Sequence, residues 1–284
     1  MTAPTRQGSR ARSIVAVLLV VSVAPALSAQ RGRGGGPAPP APSPRASAPI
    51  DLTGYWVSIV NEDWRWRMVT ALKGDTSSVP VNAEGRKIAE SWDPATDGSC
   101  LAYGAAGLMR MPTRLHITWE NENTLKIETD AGTQTRRLLF DKATTPPASP
   151  SLQGFSIAEW ERPGGGRGGF GGFGGAGIPA APAPQPAPAR GGRPGGPAGP
   201  VGGHLKVVTT HLSPAWLRRN GVPYSGQTTM TEYFDRFAAP GGDQWLVITT
   251  AVTDPIYLSQ EFVTSTHFRR EPDRSKWDPS ACKP

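Results

Sequence analysis

The segment RLHITWENENTLKIETDAGTQTRRLLF, residues 114–140, decides the fold class. It holds three stretches of strand character, 114–119, 124–129 and 133–140, separated by Asn121-Glu122-Asn123 and Asp130-Ala131-Gly132. In the first stretch Leu115, Ile117 and Trp119 share one face of an extended chain, while Arg114, His116 and Thr118 share the other. Such alternation, broken by Asn, Asp and Gly, predicts hairpins in a sheet whose two faces meet different environments.

The same pattern continues outward. Residues 54–60 (GYWVSIV), 64–72 (WRWRMVTAL), 154–162 (GFSIAEWER), 205–210, 227–237, 244–253 and 261–269 are rich in aromatic and β-branched residues. Helix is scarce. Residues 80–92 (PVNAEGRKIAESW) carry the best helical pattern, with Asn82 as cap, and 214–220 (PAWLRRN) reads as a helical turn stopped by Gly221. Eight to ten short strands without a βαβ rhythm predict an all-β fold, an antiparallel up-and-down β-barrel.

The chain is not uniform in composition. Arg6, Arg10 and Arg12 precede the apolar run 14–23 (IVAVLLVVSV), and small residues follow through Gln30. Residues 1–29 are thus expected to be a signal peptide cleaved after Ala29 or Ala26, directing the protein to the periplasm or the exterior. Residues 30–49 read as a disordered Gly/Pro/Ala tether. Residues 163–203 contain 17 Gly, 9 Pro, 3 Arg and no acidic residue, and form a second disordered segment, inserted in a hairpin turn. One barrel domain is expected from residues 50–162 and 204–284.

This partition changes the meaning of the net charge of +7. Six Arg lie in residues 1–49 and three in 163–203; without those nine, 21 basic residues face all 23 acidic ones. The foldable part is slightly acidic, which argues against a nucleic-acid-binding face. The Arg-Gly-Gly-Phe tract at 167–170 is too sparse in Arg to reverse that reading. Once the signal is removed, no stretch is left to span a membrane as a helix.

Cys100 and Cys282 are the only cysteines. In an oxidising compartment they are expected to form one disulfide joining the chain end to the first half, the alternatives being free thiols or a bridge between chains.

Gly54-Tyr55-Trp56 resembles the G-x-W signature of lipocalins and the wider calycins. That resemblance implies that Trp56 closes the barrel base beneath an Arg of the last strand, Arg269 or its neighbour Arg270, with Arg269 assigned the role. A longer pattern includes Asp51-Leu52-Thr53-Gly54-Tyr55-Trp56, Trp160-Glu161, LKVVTT at 205–210, TEYFDRF at 231–237 and Thr253-Asp254-Pro255. It resembles a widespread group of exported bacterial proteins and implies no established activity.

Candidate ligand-binding residues follow from strand alternation. Glu232 and Arg236 share a face with Met230 and Phe234, and Glu159 shares one with Phe155 and Ile157. Charges on an apolar face must be paired or solvated. Glu232, Arg236 and Glu159 would orient a ligand, Phe234 would supply wall, and Trp64 and Trp66 would stack on it. The alternative for the charges is a structural Glu–Arg bridge between strands. His116, His204, His211 and His267 show no metal-ligand spacing, so no metal is assigned. No phosphate loop, dinucleotide fingerprint or nucleophile elbow is present, and no cofactor is assigned. The leading expectation is non-covalent binding of a small apolar or aromatic molecule. An envelope enzyme using a cavity carboxylate or His, and an interaction module without a pocket, are the alternatives.

Overall fold

The computed structural model describes residues 40–95, 100–162 and 203–282. Packing divides the chain into residues 1–41 and 42–284. The expected signal peptide and residues 163–202 of the expected insertion lie outside the described residues.

The second unit opens with strand β1 (Gly54–Ile59), followed by helices α1 (Trp64–Arg67), α2 (Ala83–Ser91) and α3 (Ala105–Leu108). Next come β2 (Arg114–Asn121), β3 (Thr124–Thr129), β4 (Ala131–Gly132), β5 (Thr135–Leu139) and β6 (Phe155–Glu161). After residue 203 the chain continues through β7 (His204–Thr210), β8 (Ala215–Arg218) and β9 (Val222–Tyr224). It closes with β10 (Thr229–Ala238), β11 (Gln244–Thr253), β12 (Phe262–Glu271) and β13 (Ser280–Ala281).

Nine of these strands form a closed barrel in the order β1-β12-β11-β10-β7-β6-β5-β3-β2. Strand direction alternates around an antiparallel ring, so a closed ring of odd number must contain a parallel pair. That pair is β5 with β6, where Leu138 lies opposite Ser156 and Leu139 opposite Ile157. Residues 140–154 make the crossover that parallel pairing requires. The sheet is therefore mixed, not wholly antiparallel as expected. β6 and β7 are antiparallel neighbours with Glu161 opposite His204, so the strand ends flanking the insertion are adjacent.

Alternation fills the barrel. β10 presents Met230, Glu232 and Phe234 inward, all fully buried, and β11 presents Leu246, Ile248, Thr250 and Val252. Two apolar clusters result. One, around Trp56, Leu115, Ile127, Val207, Phe234 and Phe268, occupies the base. The other, around Ala105, Leu217, Tyr224, Met230 and Phe262, joins the opposite end to a cap built from α2, α3, β8 and β9. Between them lies a buried polar layer that includes Arg136, Ser156, Thr209, Glu232, Thr250 and Thr266.

Trp56 is fully buried in the first cluster, and its indole N–H donates to Leu52 O at 2.9 Å. The Arg270 guanidinium lies 5.7 Å from the ring centroid. Arg269 does not fill this role. Phe268 points inward, so period two places Arg270 inside and Arg269 outside, 3.9 Å from Asp243. Gly54 has φ +118, and a Cβ there would come 3.0 Å from the Arg270 guanidinium, so glycine permits both the turn and the arginine.

Two local expectations change. Residues 64–72 do not form a strand: Asp63 adopts φ 50, turning the chain into the single-turn helix α1, and Arg67 is drawn inward to donate to Arg110 O at 2.9 Å. Residues 214–220 are not helical either. Gly221 at φ +76 turns a hairpin in which Arg218 pairs with Val222. Part of the expected tether is structured as well: Ser43 and Arg45 hydrogen-bond the Glu122 carboxylate, and Trp160 donates to Pro44 O at 2.9 Å. Helix α2 begins at Asn82, whose side chain accepts from Gly85 N at 2.9 Å.

Asp254 fixes the turns between the cap and β10–β11. Its carboxylate accepts from Thr228 Oγ1 at 2.6 Å, from the backbone N–H groups of Ile256 and Tyr257 at 2.7 and 2.9 Å, and from Ser225 N. Burial pushes its pKa up, but the four donors outweigh burial and hold it below the ordinary value. Ionised Asp254 thus contributes stability above the unfolded-state pKa, lost as pH falls through the lower folded-state value. Asp254→Ala is expected to cost about 2–3 kcal/mol at neutral pH, since several buried donors lose their acceptor. Urea denaturation near pH 7 and near pH 3 checks this, the difference between variant and native protein shrinking at the lower pH.

Candidate functional site

The residues expected to line a site are not gathered in one place. Glu232 is fully buried and takes a bidentate ion pair from Arg136, at 3.0 Å to Oε1 and 2.6 Å to Oε2. Arg136 comes from β5, two strands beyond β10's neighbour β7, so the pair spans the barrel interior. Arg136 also reaches Thr209 Oγ1 at 3.4 Å, and Thr209 shares a 2.8 Å hydrogen bond with Ser156. Phe234 packs in the base cluster. Arg236 sits at the rim, donating to Asp51 O at 2.9 Å and to Gln244 at 3.1 Å. Glu159 faces outward, where Lys142 and Lys206 pair with it. Trp64 is exposed on α1.

Trp66 alone leads to a recess. It lies between α1, α3 with the segment after it, and the β8–β9 hairpin, and its lining includes Trp66, Arg67, Gly107, Arg110, Leu217 and Arg218. Its volume is about 20 Å³, room for one oxygen-sized group. Gly107 allows the close approach that shapes it, since a Cβ would come 2.9 Å from Trp216 O.

Three of these arginines are nearly inaccessible: Arg67, Arg110 and Arg218 are 3%, 7% and 5% exposed. Their known partners hold one edge of each guanidinium. Arg67 donates to Arg110 O and, at 3.4 Å, to Ser58 Oγ. Arg110 Nη2 binds Asp63 at 2.6 Å, and its guanidinium lies 5.6 Å from the Phe262 ring centroid. Arg218 Nη2 binds Ser78 Oγ at 2.5 Å and Ser77 O, with its guanidinium 5.0 Å from the Trp66 centroid. The other edges are unbonded: Arg67 Nη1, Arg110 Nη1, Arg218 Nε and Arg218 Nη1 are buried and make no hydrogen bond.

Glu62 is the carboxylate that ion-pairs with two of these edges. Its Oε1 lies 3.9 Å from Arg67 Nη1 and 3.7 Å from Arg110 Nη1, too far for a hydrogen bond. Asp75 is engaged elsewhere, accepting from Ser77 N and the Trp66 indole, contacts that hold its pKa down to about 2. Burial, and then repulsion from Arg110, lowers the pKa of both Arg67 and Arg218 to about 10. Arg67 and Arg218 are therefore charged at neutral pH. Burying cations with donors unpaired is costly, and an oxygen anion is the group that relieves it.

No protein-family model matches this chain, and no curated protein or solved structure does. The functional reading therefore rests on the recess itself.

Sequence patterning pointed to Trp66 but assigned no role to Arg67. It missed Arg110 and Arg218, which lie in short runs (Met109-Arg110-Met111 and Trp216-Leu217-Arg218-Arg219) where an arginine next to apolar residues was the one available signal. The histidines sit apart from the recess in separate contacts: His116 stacks on Tyr55 at 4.2 Å, His204 pairs with Glu161, and His267 with Asn61.

Proposed function

We propose that this chain is an exported, calycin-like barrel protein of the bacterial group its motifs resemble, and that it binds a small molecule non-covalently through an oxyanion. The calycin affinity is supported by Trp56 beneath Arg270. The binding site proposed is the arginine recess and not the barrel interior, where Trp56, Phe234 and Phe268 are completely buried against one another's cluster.

The observation that carries this reading is that three buried arginines line one recess and that four of their guanidinium nitrogens make no hydrogen bond. A carboxylate, sulfate or phosphate oxygen entering it would accept from two or more of them. The small volume admits the head of the ligand and leaves the rest at the mouth. Trp66 and Leu217 supply apolar surface to the lining of the recess.

Calorimetric titration with sulfate, inorganic phosphate and acetate tests the proposal. Heat from at least one anion is expected, with a one-to-one stoichiometry. Arg110→Met should weaken binding about tenfold to hundredfold, the worth of one charge-assisted hydrogen bond. Glu62→Gln should strengthen it, because a competing negative charge is removed. Sulfate binding should persist through neutral pH and decline as pH rises past about 10, where Arg67 and Arg218 lose their protons. Absence of heat with all three anions would remove the proposal.

A further inference from the structure

Seven large apolar side chains stand exposed among the described residues, and four of them, Trp64, Met68, Val69 and Leu72, fall within nine residues of sequence. Leu72 is 82% exposed, Val69 63% and Trp64 61%. Single exposed apolar residues need no explanation, but such a concentration on one segment does.

The exposure belongs to an ordered backbone. Arg219 Nη2 donates to Arg67 O at 2.9 Å. The fully buried Asn220 donates to Leu72 O and Asp75 O, both at 2.9 Å, and the Trp66 indole holds the Asp75 carboxylate. The segment is thus tied down at both ends and in the middle while its apolar side chains point away from the protein. Its charge is one-sided. Residues 64–74 (WRWRMVTALKG) contain Arg65, Arg67 and Lys73 and no acidic residue. Arg65 and Lys73 are exposed, and the buried Arg67 is one of the residues that line the arginine recess.

We infer that residues 64–73 dock on the surface of a bilayer containing anionic phospholipid, with a lipid phosphate oxygen seated among Arg67, Arg110 and Arg218. Trp64, Met68, Val69 and Leu72 enter the boundary between headgroups and acyl chains, while Arg65 and Lys73 meet headgroup charge. A bilayer fits better than an acidic protein. Aliphatic tips flanked by cations and an indole match a surface that is charged outside and apolar beneath, and the recess takes one oxygen atom at a time. This inference rests on the anion-binding reading and names the source of the anion.

The experiment is co-sedimentation of the full mature chain with phosphatidylcholine vesicles, with and without phosphatidylglycerol, beside calorimetry with inorganic phosphate. Binding to the phosphatidylglycerol vesicles alone is expected, with a blue shift of tryptophan emission from Trp64. The double variant Val69→Asn with Leu72→Asn should bind vesicles at least about tenfold more weakly, since both lost side chains are apolar contacts and no charge is added. Its phosphate affinity should be unchanged, which also reports that it is folded. Excess inorganic phosphate should weaken vesicle binding of the native chain. Phosphate binding without vesicle binding would overturn the docking inference and leave the recess reading intact. Vesicle binding that survives the double variant would overturn it too. Vesicle binding by a chain that binds no phosphate, and that excess phosphate leaves unchanged, would overturn the seating of a headgroup in the recess. Self-association lost in the double variant, with no vesicle binding, would assign the segment to a second copy of the chain instead.

Discussion

Arg136→Met is expected to destabilise the protein by about 3–5 kcal/mol, the cost of leaving a buried charge without its partner. The partner is Glu232, fully buried, held by two guanidinium nitrogens of Arg136 at 3.0 and 2.6 Å. Glu232 has no other route to water: Val207 and Thr250 oppose it on the adjacent strands, and Met230 and Phe234 flank it on its own face. Glu232→Gln should cost less, because a neutral amide still accepts one hydrogen bond from Arg136. The informative variant is the double one. With Arg136→Met and Glu232→Leu together, both desolvated charges disappear and most of the loss should be recovered, as replacement of buried ion pairs by apolar groups is often neutral. Chemical denaturation of the native protein, Arg136→Met, Glu232→Leu and the double variant gives the cycle. Equal losses in the two single variants and their sum in the double would mean that the pair does not act as a unit.

This pair shows what the sequence could and could not reveal. Alternation alone placed Glu232 and Phe234 on one face of a strand, and the structure puts that face inside. The same alternation could not supply Arg136, which is 96 residues away and separated from β10 in the barrel by β6 and β7. Glu159 was assigned by the same rule but to the wrong face. Period two says which residues travel together, while only closure of the barrel says which set looks inward. The strand reading of Trp64 and Trp66 failed for a different reason. The alternating WRWR string reads as a strand, but the turn at Asp63 and the carbonyl of Arg110 hold it as one helical turn, tertiary contacts overriding local preference. The arginine recess was hidden because its parts come from three separated stretches, 62–67, 107–111 and 217–219, each unremarkable by itself. By contrast Trp56, the cap at Asn82 and the strands of 114–140 act through near neighbours in sequence, and those were legible.

Loss of the disulfide, by Cys100→Ser with Cys282→Ser, is expected to be the other large effect. The bridge joins residues 182 apart with Cα atoms 5.2 Å from each other. For a loop of that size, chain-entropy reasoning gives roughly 5 kcal/mol as an upper value. The bridge anchors a short tail: β13 pairs in parallel with β4, Ser280 N donates to Asp130 O at 2.9 Å, and Trp277 meets Tyr55 and His116 edge-on. These contacts are few, so the reduced protein should lose its tail before it loses its barrel. Hydrogen exchange should quicken at Ala131 and Gly132 while β10 and β11 stay protected, and the midpoint of thermal unfolding should fall by roughly 10 °C. Removing residues 163–203 tests the entropic part separately. Loop cost depends on the logarithm of length, so shortening the closed loop by those residues changes the contribution of the bridge by only about 0.2 kcal/mol. Glu161 and His204 already face each other across adjacent strands, and a short turn could join them. The shortened protein with its disulfide intact should therefore melt within a few degrees of the native one. A fall as large as that caused by removing the bridge would mean that the segment contributes to the core, contrary to its composition.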